Sequence, residues 1–265
     1  MNTKHRIASI LNTNSLDYSI TELPSFDLSV LKLPPNLDYT LPTNLRLGHL
    51  AERVVSELIN SSSNYSVLHE NIQIVEDKQT VGELDLIIQN KNDQQITHVE
   101  LAYKFYLYDP SISSEQLHNW IGPNRNDSLK EKLEKLKRKQ LPLLYHPYTQ
   151  AMLDGIDIDR ITQALCFLVS LYVPYEYKGS FDPIYQKAVK GYYLNLESFK
   201  DLDHATKHYY IPPKNEWGME PSGNENWTDF KGIADYLDTC MEEKQAPLCW
   251  QKYGDSYVEF FVVWW

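Results

Sequence analysis

The sequence predicts an α/β fold with a mixed central sheet, and three patterns support this prediction. Apolar residues in the segment 45–59 recur every three or four positions, as they do on one face of an amphipathic helix. The segments 83–88 and 96–108 have the composition of strands and flank a polar turn at 90–93, which is typical of a β-hairpin. The run 161–173 is rich in β-branched and aromatic residues and therefore indicates a strand buried within the sheet.

The composition is that of a globular protein with a sizeable core. Hydrophobic residues make up 42% and charged residues 23% of the 265 positions, enough for one large domain or two small ones. No segment approaches the roughly 18 to 20 uninterrupted apolar residues of a membrane span, and residues 1–9 lack the apolar core of a signal peptide. We therefore expect a soluble cytoplasmic protein with no membrane partner.

The charge and the cysteine content argue against several classes of protein. A formal net charge of −11 disfavours a general nucleic-acid coat, because phosphate contacts need Lys and Arg, so any nucleic-acid surface must be local. The 19 Tyr and 6 Trp suit base stacking, sugar contacts or a large core equally well. Cys166, Cys240 and Cys249 are odd in number and widely spaced, so we expect buried reduced thiols rather than disulfides or a zinc site.

The first elements along the chain are an N-terminal arm, a helix and three strands. Residues 1–43 predict a short helix followed by an arm that prolines interrupt. Asn44 is the expected cap of the helix over 45–59, which ends at a polar run. A strand over 67–75 follows, and the hairpin comes directly after it. The predicted order in this part of the chain is helix, strand, strand, strand.

The two strands of the hairpin place charged residues on defined faces. Side chains alternate with period two along a strand, so Glu83 and Asp85 share one face of the first strand. On the second strand Glu100, Ala102 and Lys104 share a face for the same reason. If the two faces coincide, carboxylates and an amine converge at one place.

A basic helix follows the hairpin. After a polar loop with a turn of helix around 115–120, the pattern predicts a helix from residue 127 or 128 to Gln140. Seven basic residues lie between positions 125 and 139 against three acidic ones. Two interpretations stay open, a solvated face with ion pairs at i and i+4 or a surface that faces phosphates. In the second interpretation the candidate nucleic-acid-binding residues are Arg125, Lys130, Lys137 and Arg138.

The C-terminal third has weaker signals, which predict an α+β extension. Its elements are expected to be short strands over 192–197 and 208–213, a helix over 228–241, and strands over 247–253 and 257–265. We therefore divide the chain into an N-terminal helix and arm at 1–43, a core at 44–175, and an extension at 176–265 that packs on the same core.

The acidic residues of the core have the chemistry of a divalent-cation site. Glu52 on the helix, with Asp85 and Glu100 on the hairpin, supplies carboxylate oxygens, and Mg²⁺ favours sparse carboxylate sites completed by water and substrate phosphate. Such a metal activates water and clamps phosphate oxygens, and Lys104 beside it would orient or deprotonate that water or stabilise developing charge. The sequence has no phosphate-binding P-loop, dinucleotide fingerprint or nucleophile elbow, which disfavours motors, dinucleotide enzymes and serine hydrolases.

The order of elements and acids resembles the PD-(D/E)XK, or restriction-endonuclease-like, nuclease superfamily. More narrowly, the sequence resembles a bacterial family of unknown function, the domain of unknown function 1853 family, which belongs with that superfamily. The segments that carry the resemblance are G-H-L-A-E-R at 48–53, G-E-L-D at 82–85, H-V-E-L-A-Y-K-F-Y-L at 98–107, I-G-P-N-R-N-D-S-L-K-E-K-L at 121–133, K-Q-L-P-L at 139–143 and E-F-F-V-V at 259–263. They span about residues 46–265, and the nuclease-like core lies within 46–173.

The resemblance implies a fold, an activity and a role for each candidate residue. The implied fold is a restriction-endonuclease-like core of helix, three strands, helix and strand. The implied activity is that of a nuclease that uses Mg²⁺ or Mn²⁺ to activate water and hydrolyse nucleic acid, with DNA as the favoured substrate. Asp85 and Glu100 are similar to the two metal-binding acids of the superfamily, with Glu83 as a second candidate ligand. The implied catalytic residues are Lys104 and the accessory helix acid Glu52. Gln140 ends the basic helix, where it is either a further catalytic residue that approaches the metal-bound water or the substrate, or a surface residue at a helix end. His98 is expected to cap or pack rather than to catalyse.

The spacing of the acid and the lysine departs from the superfamily pattern. The superfamily usually separates them by two positions, whereas Glu100 and Lys104 are four apart, which puts their Cα atoms roughly 13 Å apart instead of about 7 Å. Lys104 reaches the site only if it bends back over Ala102 or if a bulge shortens the strand. This spacing favours one alternative, a catalytically inactive module that binds nucleic acid or a protein partner. A second alternative rests on the aromatic C-terminal half, which would serve an enzyme or binder for another phosphate-bearing or sugar ligand.

Overall fold

The computed structural model describes residues 3–37, 39–42, 44–153 and 155–265. It confirms a mixed α/β fold, with a nine-stranded mixed sheet and several helices. None of the helices in the described ranges is long and apolar enough to cross a membrane. The three cysteines are free and buried, as predicted, and burial raises the pKa of the Cys166 thiol to about 12.

The sheet contains parallel and antiparallel pairs of strands. The α-helices around it are α1 (Thr3–Leu11), α2 (Tyr18–Thr21), α3 (Leu47–Ser61), α4 (Leu129–Lys135), α5 (Thr149–Met152), α6 (Pro183–Gln186), α7 (Leu196–Lys200) and α8 (Phe230–Glu242). The strands are β1 (Tyr65–Glu76), β2 (Gln79–Asn90), β3 (Ile96–Tyr108), β4 (Trp120–Ile121), β5 (Thr162–Pro174), β6 (Val189–Asn195), β7 (His208–Tyr210), β8 (Leu248–Tyr253) and β9 (Ser256–Val263). The strand order is β1-β2-β3-β5-β6-β9-β8-β7, and β4 pairs with β3. Strand β6 runs parallel to β5 and to β9.

Most predicted strands coincide with observed ones, whereas two helix predictions need correction. The helix predicted from Asn44 begins instead at Leu47 and is capped by Arg46, whose carbonyl accepts the first helical hydrogen bond, from Leu50. The basic helix is not a regular helix up to Gln140. Helix α4 ends at Lys135 and continues as a π-helical turn over 136–140 and a 3-10 turn over 141–145.

The chain folds into two compact units that interleave along the sequence. The first unit consists of the residues up to Lys104 and of 131–168. Its helix α3 packs against β1 and α1, and the apolar side chains on one face of α3 are buried because they recur at helical spacing. Segments of the N-terminal arm also pair with β5, since the N–H groups of Leu16 and Phe26 donate to carbonyls of that strand.

The second unit consists of residues 105–130 and 169–265. Its core lies between α7, α8 and the strands β6 to β9, and Phe199 is fully buried there. The ring of Phe199 contacts those of Tyr209, Phe230 and Phe260 at centroid distances of 5.3–5.6 Å. Much of the aromatic content of the C-terminal third therefore serves packing.

A buried carboxyl group lies on β9 in the second unit. Glu259 is 8% exposed, and the Tyr172 hydroxyl donates a hydrogen bond of 2.8 Å to its Oε1. Burial raises the pKa of Glu259 to about 7, against the lowering effects of the Tyr172 hydrogen bond and the Lys190 charge. The stability contributed by this residue is fully present below about pH 4.5 and is lost as the pH rises through about 7.

Replacing Glu259 by Gln should remove this pH dependence. The amide keeps an acceptor for Tyr172 and carries no charge, so the variant should exceed the wild type in free energy of unfolding by up to about 3 kcal/mol at pH 8.5. The difference should shrink towards pH 5. Urea unfolding at both pH values measures it, with the exposed Glu225→Gln as the matched control. An equal gain at pH 5 and pH 8.5 would contradict the assignment.

Candidate functional site

The site begins where the ladder between β2 and β3 ends. Leu86 pairs with Val99 at this end of the ladder, so Asp85 and Glu100 are the next opposed positions. Opposed residues of an antiparallel pair project their side chains from the same face of the sheet. The N–H of Leu101 donates to Asp85 Oδ2 at 2.8 Å. The carboxyl group of Asp85 therefore lies between the strands, beside Glu100, as the alternation of side chains predicts.

Burial and neighbouring negative charge raise the pKa of Asp85. The residue is 8% exposed. Its pKa is raised to about 8, mainly by burial and next by the charge of Glu100. Among the smaller effects, the Leu101 N–H and the charge of Lys132 lower this pKa, and the charge of Glu52 raises it. Without a cation Asp85 is therefore largely protonated at neutral pH. A divalent cation between the two carboxyl groups would offset both the burial and the like-charge repulsion.

Both carboxylate oxygens of Glu100 have hydrogen-bond partners. Glu100 is 1% exposed, and its Oε1 lies 2.9 Å from Nε2 of the fully buried His98. Its Oε2 accepts a hydrogen bond of 2.7 Å from Gln140 Nε2. The amide oxygen of Gln140 in turn accepts a hydrogen bond of 3.0 Å from Lys132 Nζ. Gln140 therefore connects the acid to an amine.

The π-helical turn explains how Lys132 and Gln140 come together. They are eight residues apart, and eight residues of a regular α-helix turn by about 800°, which leaves the two side chains about 80° apart around the axis. The π turn over 136–140 rotates less per residue, because its hydrogen bonds span one residue more. The offset closes, and both side chains project from the same side of the helical segment.

Lys132 is the functional candidate that the sequence did not single out. Its side chain is half-buried, and burial lowers the pKa of its amine, with the charge of Lys104 as the second cause. Its own charge lowers the pKa of Asp85. Lys104 is also half-buried on β3 and is close enough to act on Lys132. The site therefore has two amines, and the one that bonds to Gln140 comes from the helix rather than from the strand.

The other two acids differ in their relation to the site. Glu52 on α3 bonds through Oε2 to Nδ1 of His49 at 3.0 Å, and its charge raises the pKa of Asp85. Glu52 is therefore close enough to Asp85 to act on it electrostatically. Glu83 accepts a hydrogen bond of 3.3 Å from Gln73, its partner across the ladder on β1.

Two of the four predicted nucleic-acid-binding residues are engaged in contacts within the protein. Arg125, in the second unit, forms an ion pair with Asp109 at 3.2 Å and lies over the ring of Trp265 at 4.4 Å. Lys137, in the first unit, forms an ion pair with Glu22 of the arm at 2.6 Å. Lys130 is half-buried and Arg138 is exposed. The exposed Arg138 is the clearest remaining candidate for a phosphate contact.

The donor set fits a hard divalent cation. Among the described side chains, no group of three or more His, Cys, Asp or Glu residues is arranged to hold a metal. Mg²⁺ needs only one or two carboxylates, because water and substrate phosphate complete its shell. Asp85 and Glu100 match that requirement, and the network around Glu100 holds one of the two in place.

Comparison with known proteins gives one match. Residues 6–256 match the family model described as Domain of unknown function (DUF1853). No curated protein and no solved structure matches the chain.

Proposed function

We propose that this chain, which belongs to the DUF1853 family, is a cytoplasmic, metal-dependent nuclease. It would hydrolyse phosphodiester bonds of nucleic acid, and DNA is the first substrate to test. One observation carries the proposal: two opposed, buried carboxyl groups share their site with a half-buried amine. We extend the proposal to the fold. The order α3, β1, β2, β3, α4, β5, which leaves out the two-residue β4 before α4 and the four-residue α5 after it, supports a restriction-endonuclease-like core.

Each residue of the site has a role in this proposal. Asp85 and Glu100 would hold Mg²⁺ or Mn²⁺, and Glu52 would add negative charge beside them. The bound cation would supply Lewis-acid polarisation of the phosphodiester and activation of water. Gln140 orients Lys132 through its amide oxygen. Because its pKa is lowered, the Lys132 amine is suited to accept a proton at Nζ or, when charged, to stabilise negative charge on phosphate oxygens.

Cleavage assays with the purified chain test the proposal. Linear, circular and single-stranded DNA, and RNA, are each incubated with the protein in Mg²⁺, in Mn²⁺ and in chelator. We expect breakdown of at least one substrate with either metal, and none in chelator. No cleavage under any of these conditions would reject the proposed activity.

The alternative is a catalytically inactive module that binds nucleic acid or a protein partner. The four-residue separation of Glu100 and Lys104 favours it, since the strand lysine is displaced from its usual position. Such a module would bind DNA or RNA without cleaving it, and its affinity would not change when Asp85 is replaced by Asn. The presence of Lys132 weighs against it, because a helix amine supplies what the strand position lacks.

The two amines make different predictions for activity. Replacing Lys132 by Met should reduce the cleavage rate by about a hundredfold or more, which is the usual contribution of a proton-transferring side chain. Mn²⁺ binding should persist, since Asp85 and Glu100 are unchanged. Lys104→Met is the matched control and should cost less, because Lys132 is the amine that bonds to Gln140. A larger loss in Lys104→Met than in Lys132→Met would reverse these roles.

A further inference from the structure

Gln163 donates two hydrogen bonds, one of them to a buried histidine. Gln163, on β5, directs its amide nitrogen to two acceptors, the Leu141 carbonyl at 2.7 Å and His98 Nδ1 at 3.0 Å. A carbonyl oxygen only accepts hydrogen bonds, so the amide nitrogen must face Leu141. Rotating the amide by 180° would place oxygen against oxygen. Both hydrogens of the amide are therefore used, one for each acceptor.

The tautomer of His98 follows from the orientation of Gln163. Because Gln163 donates to Nδ1, that ring nitrogen carries a lone pair rather than a proton. The proton of the neutral ring is then on Nε2, which donates to Glu100 Oε1 at 2.9 Å. His98 is fully buried, so no water competes with either hydrogen bond. The direction of donation runs from Gln163 to His98 and from His98 to Glu100.

We propose that Gln163 and His98 are positioning residues that fix the carboxylate of Glu100 for cation binding. We call the chain of Leu141, Gln163, His98 and Glu100 the Glu100 relay. The effect of the relay on cation affinity rests on the proposed function, whereas the tautomer of His98 does not. Groups that hydrogen-bond to a metal ligand orient it before the metal arrives, and losing one typically reduces metal affinity about 10-fold to 100-fold.

The four residues of the relay lie on a helical turn and on two strands of the sheet. Leu141 begins the 3-10 turn that follows the π turn, Gln163 lies on β5, and His98 lies two residues before Glu100 on β3. Gln140 holds the second oxygen of Glu100 from the same helical segment that supplies the Leu141 carbonyl. Rotation of the Glu100 carboxylate would break bonds to both, so its orientation is fixed from two directions.

Four variants test the relay through Mn²⁺ affinity, measured by electron paramagnetic resonance. Gln163→Met and His98→Leu should each weaken Mn²⁺ binding by about tenfold or more. His98→Gln should stay within about threefold of the wild type, because a glutamine amide can donate from the position of Nε2. Gln95→Met is the matched control and should bind as the wild type does. Gln95 links Ile96 and Arg160 through its amide but is not hydrogen-bonded to Glu100.

Nitrogen-15 spectra of histidine-labelled protein without metal test the tautomer separately. The chain has 8 His, and the spectrum of His98→Gln identifies the His98 signals. We expect protonated Nε2 and unprotonated Nδ1 in the wild type, and loss of this preference in Gln163→Met. If Nδ1 of His98 were protonated and Nε2 unprotonated in the wild type, the proposed relay would be rejected.

The two failures are distinguishable. Absence of Mn²⁺ binding by the wild type would overturn the proposed function and the proposed effect of the relay on cation affinity. The observed tautomer of His98 would still decide whether the hydrogen bonds of the relay exist. Unchanged Mn²⁺ affinity in Gln163→Met, with the wild type binding Mn²⁺, would overturn the positioning role alone. Thermal unfolding midpoints of all variants separate a local loss of affinity from a loss of folded protein.

Discussion

Replacing Asp85 by Asn or Glu100 by Gln is expected to reduce metal-dependent cleavage by at least about a hundredfold. Each change removes one of the two proposed ligands, which are opposed carboxyl groups on neighbouring strands. A metal that polarises phosphate and water contributes several kcal/mol, and each 1.4 kcal/mol corresponds to a factor of ten in rate. Mn²⁺ affinity should fall in both variants, so cleavage and metal titration are measured together.

Glu83→Gln is the matched control for the acids of β2. Glu83 lies two residues before Asp85 on the same strand and bonds to Gln73, so its replacement should leave cleavage and Mn²⁺ affinity within about twofold of the wild type. Equal loss in Glu83→Gln and Asp85→Asn would show that charge on the strand, and not ligation, matters. Cleavage that survives in both Asp85→Asn and Glu100→Gln would reject the site.

Loss of activity in Asp85→Asn should not be accompanied by loss of folding. The folded pKa of Asp85 is about 8 against an ordinary value of 3.8, so its stabilising contribution is lost as the pH rises through about 8. The amide keeps an acceptor for the Leu101 N–H and needs no deprotonation. Above pH 8 and without metal, the variant should therefore unfold at a higher urea concentration than the wild type.

Gly191→Ala should destabilise the protein by more than about 3 kcal/mol. Gly191 lies on β6 between β5 and β9, and a Cβ there would be 1.9 Å from the backbone oxygen of Glu259 and 3.4 Å from the Tyr172 ring. Backbone atoms of a central strand have little room to shift, so β6 and β9 would have to separate. Urea unfolding monitored by tryptophan fluorescence measures the change.

A glycine on a helix provides the control for this substitution. Gly48 lies in the first turn of α3, and a Cβ there has no neighbour within 4 Å. Gly48→Ala should raise the free energy of unfolding by up to about 1 kcal/mol, because alanine has the higher helix propensity. If Gly191→Ala lowered the free energy of unfolding by less than about 1 kcal/mol, this result would contradict the close approach of β6 and β9.

The sequence predicts the carboxylate pair because the relevant signal is local. Period-two alternation places Asp85 and Glu100 on defined faces of two neighbouring strands, and a polar turn joins those strands. The α/β class follows from equally local patterns of period. Glu52 and Gln140 were also expected near the site, from the order of elements and from the family resemblance. The restriction-endonuclease-like core and the nuclease activity stay proposals.

The parts of the site that the sequence does not predict depend on distant or irregular structure. Lys132 reaches Gln140 only through a π turn, which the regular helical period does not anticipate. His98 was expected to cap or pack, and its partner Gln163 lies 65 residues further along the chain. The charge pattern leaves Arg125 open to an ion pair or to a phosphate contact, and it does not indicate that Asp109 and Trp265 contact the guanidinium in the folded chain. No local pattern carries these pairings.

The π turn also has a consequence for how this chain tolerates insertions and deletions. Such a turn contains one residue more than a regular α-helix would need, so deleting one position within 136–140 would give a more regular helix. The same deletion would leave Gln140 seven residues after Lys132, and seven residues of a regular α-helix turn by about 700°, so the two side chains would still lie within about 20° of each other around the axis. A chain one residue shorter in this segment is therefore expected to gain a regular helix and to keep the hydrogen bond between Lys132 and Gln140, whereas a further inserted residue would turn Gln140 away from Lys132.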